Sequence, residues 1–279
     1  MYVHLQYLDR RINSVHFFTK AKLAFKNLIR YLPLLQCLVE RELKNKYRQN
    51  ILGYLWCVLS PLMVMVIMNF VFSHMFRNSI SNFAVYLFVG RMFFTFITDS
   101  TQYACRSIIV NGPLMRKTRV PNYIFTLATM LSSVVSFLFS LVAFGIVLIF
   151  TGTPLTIHAV MLPVIFLEMF MFSTGLGFFL AQANVFIRDT TFMYSVFITG
   201  WMYLTPLFYP LDALPATVQY WIAALNPAYT YIRMGRMIFL DAVWPHAGIL
   251  LKGLLWGVAF MALGLFTYNR NKDKFILYV

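Results

Sequence analysis

The sequence predicts an all-α integral membrane protein. Its expected parts are six transmembrane helices, an N-terminal helix on the cytoplasmic membrane surface, and short re-entrant outer gate helices between spans five and six. Three observations carry this reading. Hydrophobic residues make up 60% of the 279 and charged residues only 11%. Soluble domains carry about a quarter charged residues, so the chain lacks the polar surface to coat a water-soluble globule. Apolar stretches long enough to cross a bilayer recur along its length, and its basic residues gather on alternate connections. The net charge of +14 therefore reads as an inner-leaflet rim, not as a nucleic-acid face.

The first region, 1–50, is predicted to be cytoplasmic and interfacial. The run "FFTKAKLAFKNLIRYL" (17–32) places Phe18, Ala21, Phe25, Leu28 and Leu32 on one helical face and Lys22, Lys26 and Arg30 on another, the pattern of a helix lying in the membrane interface. In the continuation, 34–50, Glu42 and Lys46 interrupt the stripe of Leu35, Val39, Leu43 and Tyr47. Their spacing of four allows them to pair. Residues 50–53 are the expected bend into the bilayer. No short apolar core with a small-residue cleavage site marks a signal peptide.

The transmembrane domain is expected over 51–270, followed by a cytoplasmic tail, 271–279. A crossing helix needs about 20 mostly apolar residues. Five stretches qualify easily: 52–76, 83–104, 123–150, 158–183 and 247–268. A sixth, "TFMYSVFITGWMYLTPLFYP" (191–210), is more aromatic and holds Pro206. Six spans put both termini on one side. With the N-terminus inside, eighteen lysines and arginines fall in inner segments against four in outer ones, so both ends are predicted to be cytoplasmic.

Two connections are unusual. The inner one, "CRSIIVNGPLMRKTRVP" (105–121), carries an Asn-Gly-Pro turn signal beside Arg116, Lys117 and Arg119; it is either a docking element for a cytoplasmic partner or a charged turn. The outer one, 211–245, is too apolar for an ordinary loop and too interrupted by Pro215 and Pro227 for two further spans. Two short helices, 215–225 and 228–241, fit it, as an outer gate or as interfacial helices packed on the bundle.

Arg91, Asp99 and Glu168 lie within spans, where each costs roughly 2.5–3.5 kcal/mol and such groups usually face the bundle interior or a wet path. Arg91 and Asp99, about 12 Å apart along the helix, are not a direct pair; Arg91 with Glu168 is a possible cross-span pair, structural or substrate-facing. Tyr194, Phe197, Trp201 and Phe208 follow helical spacing, with Thr205 on the same face. Such a stripe suits either core packing or a sugar chain, whose C–H faces stack on rings. No phosphate loop, zinc-protease motif or nucleophile elbow occurs, and Cys37, Cys57 and Cys105 show no disulfide or metal-ligand spacing.

Several runs taken together resemble a known family. A basic interfacial helix enters "ILGYLWCVLSPL", with Gly53, Trp56 and Pro61. "NVFIRDTTF" (184–192) separates spans four and five, and "TPLFYPLDALP" (205–215) leads to "LNPAYTYIRMGR" (225–236). From about 30 to 270 the chain resembles the permease subunit of type-2 ABC exporters, in particular the polysaccharide and teichoic-acid exporters of bacterial surfaces. The resemblance implies a homodimer in the bacterial cytoplasmic (inner) membrane, paired with two copies of a cytoplasmic ABC ATPase that holds ATP and Mg, with no cofactor on this chain. It implies a lipid-linked polysaccharide substrate (O-antigen, capsule or teichoic acid).

The same resemblance assigns expected roles to individual residues. ATPase coupling falls to 107–117, with Ser107, Asn111, Gly112, Pro113, Leu114, Arg116 and Lys117, and to Arg41 and Lys44 of the interfacial helix. The aromatic-lined channel maps to Tyr194, Phe197, Trp201 and Phe208, to which the in-span charges Arg91 and Glu168 are added. Arg188 and Asp189 stand at the inner mouth, to meet a pyrophosphate or to fix the helix ends by pairing with neighbours. Tyr220, Trp221, Asn226 and Tyr229 belong to the gate. The competing readings are a type-2 exporter of lipids or drugs and a membrane glycosyltransferase, for which Asp212 and Asp241 would be the outer acidic residues.

Overall fold

The computed structural model describes residues 31–47, 52–76, 82–117, 120–271 and 275. The surface helix expected over 17–32 lies almost wholly outside these residues, as does most of the 271–279 tail. All regular structure among the described residues is helical. In order the helices are α1 (Leu32–Tyr47), α2 (Trp56–Phe76), α3 (Phe83–Val110), α4 (Gly112–Lys117), α5 (Tyr123–Thr151), α6 (Leu162–Phe186), α7 (Thr190–Leu204), α8 (Ala216–Leu225), α9 (Pro227–Phe239) and α10 (Ala247–Asn271).

Among the described residues five helices are long and apolar enough to cross a membrane: α2, α3, α5, α6 and α10, each with any single turn leading into it. α3 is the central one. It packs against α2, α5, α6, α7 and α9, and 78% of its apolar window is buried, against 6% for α2. α10 lies along α6 at a distance only small residues permit. A Cβ added at Gly264 would meet the carbonyl oxygen of Gly175, and one added at Gly175 would meet the α10 backbone at Phe260.

Two boundaries differ from the sequence reading. The span expected over 191–210 is helical only to Leu204; Thr205 is extended (ψ 128°), as Pro206 requires of the residue before it. At 15 residues α7 rises about 22 Å, short of the roughly 30 Å hydrocarbon core. Conversely, α3 does not stop near 104 but runs 28 residues to Val110, a rise of about 42 Å against the roughly 30 Å hydrocarbon core, and the Asn-Gly-Pro turn follows at its end. The two short helices expected between the last two spans, α8 and α9, lie within two residues of the expected 215–225 and 228–241. At the bend into the bilayer Gly53 takes φ +49°, a conformation that costs glycine little.

Candidate functional site

Three polar assemblies are built on this frame, one near each end and one between. The first joins the end of α7 to the start of α9. The Asn226 side chain accepts from Trp201 Nε1 at 3.0 Å and from the Tyr229 amide at 3.2 Å, and donates to Thr205 Oγ1 at 2.9 Å. It is thus both the cap of α9 and the tie between two segments of the sequence motif. Beside it Arg236, only 3% exposed, donates to the carbonyls of Pro206 (2.9 Å) and Leu207 (3.2 Å). Its guanidinium lies 3.4 Å from the ring centroid of Tyr86, whose hydroxyl donates to the Tyr209 carbonyl at 2.8 Å. Burial pushes Arg236 down to about 10, still far above neutral pH, so the group is a cation held by carbonyl dipoles and a ring face. Gly90 leaves it room, since a Cβ there would come within 2.8 Å of Nη2.

The second assembly is at the C-terminal end of α3. Arg41 of α1 donates to Asn111 Oδ1 at 2.5 Å, and Asn111 Nδ2 donates back to the Ser107 carbonyl at 2.8 Å. Two segments 70 residues apart in sequence, both expected to meet a cytoplasmic partner, are thus tied together. α4 follows immediately, with Pro113, Arg116 and Lys117 exposed, Leu114 partly so and Gly112 and Met115 buried. Ser107 departs from expectation: it is buried inside α3, bonded to Thr126 Oγ1 at 2.9 Å, because the helix continues past it. Lys44 pairs with Glu40 at 3.7 Å on the exposed face of α1. The anticipated Glu42–Lys46 pair does not form. Glu42 is taken by Arg41 at 3.1 Å, while Lys46 lies 5.2 Å from the ring of Tyr103.

The third is a cleft of about 420 Å³ between α2, α3 and α5, with Phe208 and Lys46 also in its lining. Arg91 and Asp99 both line it. Arg91 donates to Met202 Sδ at 3.4 Å and is not joined to Glu168, so the suggested cross-span pair is absent. Glu168 instead is 6% exposed and faces α10, where a Cβ on Gly253 would collide with its carboxylate.

The aromatic stripe divides. Tyr194 is buried and bonded to Thr101 Oγ1 at 2.7 Å. Trp201 is buried edge-on to Phe94 (centroids 5.7 Å apart), and Phe208 stacks on Phe72 at 5.4 Å. Phe197 alone is exposed, at 56%. Tyr220 and Trp221 stand exposed on α8, whereas Asn226 and Tyr229 are buried. Arg188 and Asp189 are both exposed at the α6–α7 turn. Neither joins an ion pair among the described residues. The work of that turn falls to Asn184, which donates to the Cys105 carbonyl at 2.9 Å and accepts from Thr191 Oγ1 at 2.9 Å.

With this geometry in hand, the comparisons with known proteins are decisive. The model of the family described as ABC-2 type transporter matches residues 33–240, most of the chain. The chain belongs to the ABC-2 type transporter family. Among curated proteins it is similar to the O-antigen export system permease protein RfbA of Myxococcus xanthus, with 30% identity over 251 residues, 90% of this chain and 96% of that one. It is similar also to RfbA of Klebsiella pneumoniae (27% over 250 residues, 89% and 96% covered). A third relative is the capsule polysaccharide export inner-membrane protein CtrC of Neisseria meningitidis (26% over 192 residues, 66% and 71% covered).

Within this ABC-2 chain, sequence reasoning missed Arg236, Asn184 and the polar face of α3. Arg236 stands in the sequence only as the last residue of the run 225–236 with no role of its own, because its carbonyl partners belong to an irregular segment some 30 residues away. The α3 face was legible: Arg91, Thr95, Asp99, Gln102 and Arg106 follow 4-4-3-4 spacing, one side of a helix.

Proposed function

We propose that this chain is the transmembrane permease of an ABC exporter that carries a lipid-linked cell-surface polysaccharide, of the O-antigen or capsule kind, across the cytoplasmic membrane. The observation that carries this reading is near-full-length similarity to O-antigen export permeases, together with membership of the ABC-2 family. The permease contributes shape, gating and recognition. A separate ATPase supplies the energy and holds ATP and Mg, and two copies of each subunit form the working assembly. The bond chemistry of a glycosyltransferase has no part in this reading.

In it, α7 and the irregular 205–210 segment complete a sixth crossing, α8 and α9 dip back from the outer side, and both termini lie in the cytoplasm. The Arg41–Asn111 tie and the exposed residues of α4 form the seat for the ATPase. A push on α4 passes directly into α3, whose C-terminal cap is Asn111, and so into the bundle. Phe197, with Tyr220 and Trp221 on the outer helices, offers the ring surfaces on which a sugar chain stacks as it passes between subunits.

The test is mass spectrometry of lipid extracts from the native host after depletion of this chain. Lipid-phosphate-linked polymer accumulating on the cytoplasmic side, with loss of surface glycan, is the expected result and identifies the polymer. Unchanged surface glycan and unchanged precursor would overturn the assignment in favour of lipid or drug export.

A further inference from the structure

α3 inverts the usual order of a membrane helix. Between Val85 and Ile108 every residue that is not buried is polar: Arg91, Thr95, Asp99, Gln102, Tyr103 and Arg106. Hydrocarbon cannot cover such a face without a large penalty, so it must line a wet or ligand-filled space. The cleft against α2 and α5 is that space. Its size falls within the range of about 300–1,000 Å³ typical of small-ligand sites.

The chemistry of its walls is divided. Arg91 offers only donors, and neither it nor Asp99 is in an ion pair among the described residues. Facing them, α5 presents Ser133, Ser136 and Ser140. Each of these gives its proton to a carbonyl four residues back, Thr129, Ser132 and Ser136 respectively, which leaves oxygen lone pairs for a ligand's donors. Asp99 adds an acceptor between Arg91 and Lys46. A bare anion would satisfy Arg91 but meet Asp99 and a row of acceptors. A neutral sugar would leave the arginine uncompensated. A phosphate joined to a group rich in hydroxyl donors satisfies both walls, and Trp56 and Tyr103 supply rings. Outside the cleft, Met63, Val66, Ile67 and Phe70 give α2 an exposed apolar face along which a lipid tail can remain in the bilayer.

We propose that the cleft between α2, α3 and α5 is a binding site within one subunit for the sugar-phosphate headgroup of the lipid-linked glycan, with Arg91 holding phosphate and Asp99 and the α5 serines accepting sugar hydroxyls. This rests on the export function proposed above. A zwitterionic phospholipid headgroup shares the same chemistry and is the rival occupant.

Ser60, exposed on the rim of the cleft, is the position for a photo-crosslinker. The variant Ser60→p-benzoylphenylalanine, expressed with its ATPase in the native host, is irradiated in cells and the captured lipid identified by mass. The expected adduct carries phosphate and sugar, falls about tenfold or more with Arg91→Gln, which removes a charge-assisted contact, and recovers with Arg91→Lys. If Arg91→Gln lowers the amount of chain in the membrane, the Ser136→Ala, Ser140→Ala double variant tests the opposite wall, with a severalfold loss expected. An adduct made only of phospholipid, or a sugar-phosphate adduct indifferent to both sets of changes, overturns the proposal. Failure of the export reading is distinct. It appears as unchanged surface glycan on depletion, whereas lost surface glycan without a sugar-phosphate adduct condemns the cleft assignment alone.

Discussion

Asn226 accepts two hydrogen bonds and donates one in a buried setting, and each partner left unsatisfied there costs about 1–3 kcal/mol. Asn226→Ala is therefore expected to destabilise the chain by about 2–4 kcal/mol, read as a lower midpoint of thermal unfolding in detergent. Trp201→Phe removes one N–H and keeps the ring against Phe94, so its loss should be only about 1 kcal/mol. Equal effects would mean that the tie is not held through the amide. At the C-terminal end of α3, Arg41 and Asn111 should behave as one unit. In a double-mutant cycle of Arg41→Ala and Asn111→Ala, measured as affinity for the purified ATPase, the combined loss should be smaller than the sum of the two. Strict additivity would show that the 2.5 Å contact does not shape the seat.

Between α6 and α10 the controlling feature is the approach of two backbones, and the glycines divide accordingly. A Cβ at Gly264 meets the Gly175 carbonyl, while one at Gly145 of α5 meets nothing within 4 Å. Gly264→Ala should thus force the helices apart at a cost of about 1–3 kcal/mol. Gly145→Ala should be neutral or stabilising by up to about 1 kcal/mol, because alanine is the better helix former. The fraction of each variant surviving heating as a monodisperse species would measure both. This contrast cannot be read from the two positions themselves, since Gly145 and Gly264 are each flanked by apolar residues within an apolar helix. The lengths of α7 and α3 make the same point. The expected span ran through Pro206 to 210, and only the fold shows that the helix ends before it and that Tyr86 and Arg236 hold the carbonyls of the segment that follows.

For the whole molecule, the decisive quantity is the side of the membrane on which each end lies. Cys37 is exposed on α1, while Cys57 and Cys105 are buried, so the native chain already carries a selective thiol reporter. With six crossings, an impermeant maleimide should label Cys37 in inverted but not right-side-out vesicles, and a Tyr220→Cys variant should show the reverse for its new thiol. Labelling of Cys37 and Tyr220→Cys from the same side would refute six crossings.

The sequence by itself determined that this chain is a helical membrane protein, where its five long apolar helices lie, and that a basic connection after α3 and two short helices before α10 set it apart. Those features are local: a run of about 20 apolar residues, a turn triplet and a proline act on their own neighbourhood whatever surrounds them. The resemblance in its motifs was carried by the same short runs. Only the tertiary structure decided that Tyr194, Trp201 and Phe208 are packed inward while Phe197 is not, since a core stripe and a lining stripe have the same period. It alone decided that Arg91 faces a cleft and not Glu168, that Arg41 meets Asn111, and that Arg236 is buried among carbonyls. Each of these depends on contacts between residues tens of positions apart, whose energies exist only once the helices have packed.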